Sequence, residues 1–506
     1  MIELSLAQVA AAVDGTLHDC PDPGVLVTGP VEFDSRRVGS GSLFVALPGE
    51  RADGHDHAAA AVAAGAVGVL AARPVGVPAV VVAPARGATA GSRVMALAGD
   101  TDGSGAAVLT ALGRLARANV DALPELCVVG VTGSSGKTST KDLIAAVLTP
   151  LGRVVAPPGS FNNELGHPWT VLRAGPATKN LVLELSARGV GHVAALCAVA
   201  PPRIGVVLNV GTAHLGEFGS REAIAQAKGE LVEALPSAAD GGVAVLNADD
   251  PLVAAMAART TARVVLVGTS ARADVRAVDV RLDGQARARF LVVTAAGEVP
   301  VALAVHGEHQ VGNALAAAAV GLERGAPLEQ VAESLRLAVA VSERRMDVRT
   351  RADGVTVVDD AYNANPDSVR AALKALVSLS RGGGRGTPRR RCWAVLGEMG
   401  ELGPDAVREH DAIGRYAVRL DVSRLVVVGA LGTPPEAIHR GAYLEGSWGE
   451  ETVLVPDVEA ALALLREEVE PGDVVLVKAS KSVGLWRVAD GLLDPDPDAD
   501  HGTVNA

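Results

Sequence analysis

Aromatic residues are nearly missing from this chain, with five Phe, three Tyr and four Trp among 506 residues. Ala, Val and Leu must therefore fill its cores. Cysteine is almost as scarce. Cys20, Cys127, Cys197 and Cys392 are widely scattered and form no Cys-x-x-Cys pair, which argues against a disulfide framework. Cys127 and Cys197 lie in apolar runs and read as buried thiols of a reducing cytoplasm. No apolar run is long enough to span a bilayer. The longest, Ala58 to Ala72, is rich in Ala and Gly and stops at Arg73-Pro74. The opening Met-Ile-Glu-Leu-Ser carries an early acid and no basic segment, so no signal peptide is predicted. Positive charge is also lacking. A net charge of −12 gives no field to attract a polyanion and excludes a general nucleic-acid binder.

What remains is a globular composition, 49% hydrophobic and 21% charged, too long for one core. Three α/β blocks are predicted. Residues 1–105 carry short strand-like runs and end in a Gly/Ser-rich connection at 86–105. Residues 106–340 alternate strands and helices, with near-continuously apolar strands at 126–131, 180–185 and 204–210. Three closely spaced runs at 275–281, 288–294 and 299–305 suggest an antiparallel addition. Residues 341–492 repeat the alternation as a second doubly wound, Rossmann-like unit, and the acidic 493–506 reads as a disordered tail. Arg381 to Arg391, rich in Gly and Arg, reads as a solvated loop.

One segment points to chemistry. Val128 to Val131 is an apolar strand, Thr132-Gly133-Ser134-Ser135-Gly136-Lys137-Thr138 is a small-residue loop, and an apolar helix follows. Such a loop wraps backbone N–H groups around phosphate oxygens at a helix N-terminus, with Lys137 as a mobile charge and Thr138 as a ligand for Mg²⁺. The strict spacing calls for Gly at 131, where Val131 stands, so the cradle is a shortened one. No Asn-Lys-x-Asp segment is present to read guanine, which weakens a GTPase.

Three polar residues fit a metal site beside that loop. Glu184 ends an apolar strand, where a carboxylate needs a cation or metal partner. His214 follows the next strand. Lys228 falls on the apolar stripe of the helix Arg221–Leu235, between Ile224 and Leu231. It either snorkels to solvent or points inward to the phosphate site in a modified, anionic form.

Together the loop, Glu184, His214 and Ala227-Lys228-Gly229-Glu230 resemble the Mur ligase family, the ATP-dependent amide-forming enzymes of peptidoglycan precursor synthesis. That resemblance implies a small N-terminal uridine-nucleotide domain, a central P-loop domain and a C-terminal Rossmann-like domain, with ATP and Mg²⁺ as cofactors. It implies carbamylation of Lys228 and metal binding by Thr138, Glu184, His214 and the modified Lys228. ATP would meet residues 132–138, Asn313, Arg345 and Asp360, and catalysis would rest on Lys137, Glu184, His214, Lys228 and Arg345.

Within the family, Phe161-Asn-Asn-Glu-Leu-Gly-His-Pro168, Asp359 to Ser368, Leu396 to Gly403 and Val477 to Ser482 are similar to the members that join D-alanyl-D-alanine to UDP-N-acetylmuramoyl-tripeptide. These imply substrate contacts from Ser35, Arg36, Asn162, Asn163, Glu164, Arg188, Tyr362, Asn363, Asn365 and Lys478. They also imply a monomeric enzyme of the bacterial cytoplasm with no nucleic-acid partner and no membrane span.

Overall fold

The structure, a computed structural model, describes residues 1–49, 52–84, 100, 102–382, 388–447 and 449–494. Most of the 86–105 connection, residues 383–387 of the basic loop and 495–506 of the tail lie outside the described residues. No helix among those described is long and apolar enough to cross a membrane.

The chain builds three main sheets. The first has five strands in the order Thr16–His18, Ala79–Val81, Gly68–Ala71, Leu43–Val45, Val31–Glu32, parallel except at the first pair. The helix Leu6–Val13 packs on it and starts from a capping box in which Ser5 and Gln8 satisfy each other's backbone N–H groups.

The second sheet has nine strands. Seven, Arg153–Val155, Thr178–Glu184, Cys127–Thr132, Ile204–Val207, Val243–Asn247, Arg263–Gly268 and Val275–Leu282, lie side by side and parallel. Arg287–Thr294 and Gly297–His306 extend it antiparallel, as the closely spaced runs predict. One of the core clusters on this sheet is mostly Val, Ala and Leu, with Phe290 as its aromatic residue. The strand Cys127–Thr132 sits between Thr178–Glu184 and Ile204–Val207, with Glu184 opposite Val131 and Val207 opposite Thr132. Strand order reverses here, so the crevice above these carboxyl ends is where a doubly wound sheet binds ligand.

The third sheet orders Asp347–Thr350, Thr356–Asp359, Val474–Lys478, Cys392–Leu396, Arg424–Val428 and Thr452–Val455, parallel after the first pair. Alternate residues face opposite layers. Cys392, Ala394 and Leu396 pack under the helices Pro366–Arg381 and Ala406–Arg419, while Trp393 and Val395 pack under Val458–Glu468 and Trp486–Leu493.

The end of the basic loop departs from its expected solvated state. Arg390 donates to Gly354 O, Thr356 Oγ1 and Asp473 O, Arg391 pairs with Asp473 at 2.8 Å, and Arg389 pairs with Asp421. Asp473 also accepts from the indole of the fully buried Trp393. These arginines tie the loop to the start of the sheet's two central strands, where the buried Asp473 gains partners from Trp393 and Arg391.

Candidate active site

The helix Lys137–Leu148 starts directly over the strand ends, and its N-terminal loop is closed on itself. Ser134 and Ser135 both donate backbone N–H groups to Asn209 Oδ1 at 2.9 Å, and Lys137 Nζ donates to Gly133 O at 2.7 Å. Gly136 holds φ +81°, and a Cβ there would lie 2.7 Å from Asn313 Oδ1. Only glycine suits that conformation and that approach, which seats Asn313 against the loop. Beside it opens a cavity of about 240 Å³ whose lining includes Asn209, Asn247, Asp249, Thr269, His309 and Asn313.

A chain of hydrogen bonds runs from the loop into the neighbouring strand. Thr138 Oγ1 donates to Glu184 Oε2 at 2.9 Å, and Asn162 Nδ2 donates to Glu184 Oε1 at 2.6 Å. Ser160 Oγ bonds Thr138 Oγ1 at 2.7 Å and accepts from Arg345 at 3.1 Å. Glu184 is only 2% exposed, so its carboxylate depends on these donors. Burial lowers the Lys137 ammonium below the usual lysine range, with the Glu184 charge opposing that shift and the Arg345 charge adding to it.

Lys228 is 3% exposed, which removes the snorkelling alternative. Burial, and then the Lys137 charge, push its ammonium well below the ordinary lysine value. Burial thus favours the neutral amine over the ammonium. His214 adopts φ +61° and sets Nδ1 2.5 Å from Glu401 Oε2, while Arg188 meets Glu401 Oε1 at 3.3 Å.

The third sheet's loops close the other side. The Arg345 guanidinium lies 4.2 Å from the Tyr362 ring centroid, and Lys481 5.6 Å from it. Asn365 caps the helix Pro366–Arg381 and reaches Ser134 O at 3.5 Å, and Asp367 accepts from Thr212 N at 3.1 Å. Asp360 and Lys478 face each other rather than open space. Lys478 Nζ lies 2.5 Å from Asp360 Oδ2 and also donates to Asn363 O, while Asp360 Oδ1 accepts from Met346 N. Asn163 Oδ1 accepts from Gly166 N, and Glu164 lies 3.9 Å from His192. Ser35 and Arg36 stand apart on the first unit, in a short turn capped by Asp34, to which the exposed Arg36 is also paired at 2.8 Å.

Thr138, Glu184, Asn162, Lys137 and Arg345 thus meet in one cluster, His214 and Arg188 in another, and Asp360, Asn363 and Lys478 in a third. Sequence reasoning missed Ser160, Asn209, Asp367 and Glu401. Asn209 carried a usable signal, a polar residue at the carboxyl end of an apolar strand; Ser160 and Asp367 carried none.

A phosphate loop at a topological switch point, with a buried acid on its threonine and a second α/β unit docked against it, defines a P-loop nucleotide-dependent enzyme. Family models agree and go further. "Mur ligase middle domain" matches residues 131–321, "Mur ligase, glutamate ligase domain" 344–481, and "Mur ligase family, catalytic domain" 30–99. The chain is 60% identical to the UDP-N-acetylmuramoyl-tripeptide–D-alanyl-D-alanine ligase of Mycobacterium leprae, over 97% of this chain and 99% of that one. Among solved structures it is similar to MurF from Acinetobacter baumannii, with TM-score 0.80, 29% identity and coverage of 97% and 99%. It is also similar to the MurF ligase of Thermotoga maritima in complex with ADP, with TM-score 0.72, 28% identity and coverage of 92% and 97%. The chain belongs to the Mur ligase family.

Proposed function

We propose that this chain joins D-alanyl-D-alanine to UDP-N-acetylmuramoyl-tripeptide, with ATP converted to ADP and phosphate, in peptidoglycan precursor synthesis. The observation that carries the reading is the set Asn162, Glu184, Thr138, Ser160 and Arg345, linked by hydrogen bonds beside the Lys137 loop, in a chain 60% identical to a ligase of that name. Residues 1–105 bind the uridine nucleotide through Ser35 and Arg36, 106–340 bind ATP, and 341–492 close over nucleotide and dipeptide. The enzyme works as a monomer in the bacterial cytoplasm.

The donor set fits Mg²⁺. Thr138 and Glu184 offer hard oxygens, and Mg²⁺ typically takes one or two carboxylates with phosphate and water for the rest. His214 and a carbamate on Lys228 would hold a second ion. Bound Mg²⁺ neutralises phosphate charge and polarises the transferring phosphoryl group.

Catalysis is then alignment and charge neutralisation. The terminal carboxylate of the tripeptide attacks the γ-phosphorus and ADP leaves. Lys137 and Arg345 offset the charge on the phosphoryl oxygens. The dipeptide amine attacks the acyl phosphate, phosphate departs, and the amine proton leaves to solvent. Asn209 gives up the Ser134 and Ser135 N–H groups to the phosphates. The adenine lies in the cavity beside Asn313, with Asp360 near the ribose. Docking of Asn365 and Asp367 keeps water from the acyl phosphate. Asn162, Asn163, Glu164, Arg188, Tyr362, Asn363 and Lys478 shape the acceptor and dipeptide channel.

Incubation with UDP-N-acetylmuramoyl-tripeptide, ATP, Mg²⁺ and D-alanyl-D-alanine, read by mass spectrometry, should show the pentapeptide and stoichiometric ADP. ADP without pentapeptide would overturn the assignment.

A further inference from the structure

Lys141 is among the largest side chains buried entirely, 1% exposed, and no step of the proposed reaction uses it. A lysine is almost never fully buried without partners. It follows Lys137 by one turn of the helix Lys137–Leu148, and its Nζ reaches three segments. It donates to Pro157 O at 2.8 Å and, over a longer distance, to Gly159 O at 3.4 Å, just before Ser160. It meets Asp142 Oδ1 at 2.5 Å. It also donates to Ser342 Oγ at 3.4 Å, and the Ser342 N–H donates to Asp142 Oδ2 at 3.3 Å. Ser342 lies on the link between the helix Leu328–Leu337 of the second unit and the strand Asp347–Thr350 of the third. That link carries Arg345. Its neighbours Arg344 and Met346 are non-glycine residues in the left-handed region, at φ +59° and +52°. Such backbone persists only where its surroundings over-determine it. From the third unit, Tyr362 N donates to Arg344 O, and Met346 N donates to Asp360 Oδ1. Towards the second unit lies a cavity of about 230 Å³ whose lining includes Asp142, Ser342, Arg345 and Met346, so polar contacts rather than close packing hold the link there. Arg345 donates to Ser160 Oγ at 3.1 Å, and its Nε is buried without a partner, an N–H that a phosphate oxygen would satisfy.

We infer that Lys141 is a positioning residue for Arg345. With Asp142 it clamps the link at Ser342, and through Pro157 and Gly159 it holds the segment that carries Ser160. The phosphate-loop helix thereby fixes both the backbone that bears Arg345 and the hydroxyl on which its guanidinium rests. The inference rests on the proposed role of Arg345 at the γ-phosphate.

Calorimetry of ADP and of non-hydrolysable β,γ-imido-ATP, each with Mg²⁺, isolates the γ-phosphate as a ratio of affinities. The variants are Lys141→Met, Ser342→Ala, Ser342→Thr, Arg345→Ala and Lys141→Met combined with Arg345→Ala, with thermal melts alongside. Arg345→Ala should lower the ratio by about 10-fold or more, the scale for one hydrogen bond to a charged group. Lys141→Met and Ser342→Ala should lower it by about 3- to 10-fold while ADP affinity stays within about twofold. Ser342→Thr keeps the hydroxyl and has the cavity for its methyl group, so it should hold the wild-type ratio. The double variant should show no lower ratio than Arg345→Ala alone. A wild-type ratio in folded Lys141→Met and Ser342→Ala, or effects that add in the double variant, would overturn the inference. Equal losses of ADP and analogue affinity with a lowered melting temperature would also overturn it, by marking a structural role. Should Lys141→Met not fold, the ratios of Ser342→Ala and Ser342→Thr decide alone. A wild-type ratio in Arg345→Ala would remove the γ-phosphate role and the inference with it. Wild-type protein that shows the expected ratios but forms no pentapeptide would uphold the inference and count against the proposed reaction alone.

Discussion

Gly136→Ala tests the phosphate loop where its geometry is tightest. Gly136 sits at φ +81°, and a left-handed backbone costs an L-residue about 1–2 kcal/mol. The new Cβ would also stand 2.7 Å from Asn313 Oδ1, closer than real Cβ atoms come. Asn313 is buried and tied to Gln310 at 2.8 Å, so its retreat disturbs the wall of the nucleotide cavity. In the free protein the loop can relax and shed this strain, and ATP must then restore it on binding. The expected loss is about 2 kcal/mol, or about 30-fold in kcat/KM for ATP. Initial rates across an ATP series measure it, with ADP calorimetry alongside and a thermal melt to show that the fold persists. Binding of the UDP-linked substrate should be unchanged. A kcat/KM for ATP within twofold of wild type, with an unchanged melt, would refute the reasoning.

Two further outcomes follow from buried titratable groups. Lys228→Ala should lower kcat by about 10²–10³-fold, the scale for losing one preorganised electrostatic group, and added formate or acetate should recover part of it; wild-type turnover would exclude a carbamate at that position. His167 is fully buried, and desolvation pushes its imidazole down to about 4. With a folded value near 4 and an unfolded value near 6.5, the unfolded chain takes up the proton first as pH falls. Stability should therefore decline between about pH 6.5 and 4, by about 3 kcal/mol from this group. Urea midpoints of His167→Phe against wild type at pH 7.5 and 4.5 should show a shallower acid loss in the variant.

The parallel strands of the second sheet were legible because burial on both faces leaves them almost purely apolar. Those at 126–131, 180–185 and 204–210 emerge as Cys127–Thr132, Thr178–Glu184 and Ile204–Val207. Val243–Asn247, Arg263–Gly268 and Arg153–Val155 were not foreseen. Runs of three to six residues between polar ones carry no period that separates a strand from a buried helix segment. The helices Glu436–Glu445 and Trp486–Leu493 escaped for a similar reason, being short and close to neighbouring elements. In the site, Glu184 announced itself by breaking an apolar strand, and Lys228 by interrupting an apolar stripe. Glu401 lay inside a quoted motif, but a loop carboxylate has no local pattern that names a histidine 187 positions earlier as its partner. The approach of Gly216 to Gly403 creates that contact, and it exists only in the assembled fold.

The central claim is that the tripeptide's own carboxylate takes the γ-phosphoryl group before the amide forms. Substrate carrying ¹⁸O in that terminal carboxylate tests it directly, with inorganic phosphate analysed by mass spectrometry after turnover with ATP and D-alanyl-D-alanine. Acyl-phosphate chemistry predicts that one ¹⁸O passes into each phosphate released. Phosphate carrying only solvent or ATP oxygen, while pentapeptide accumulates, would contradict it.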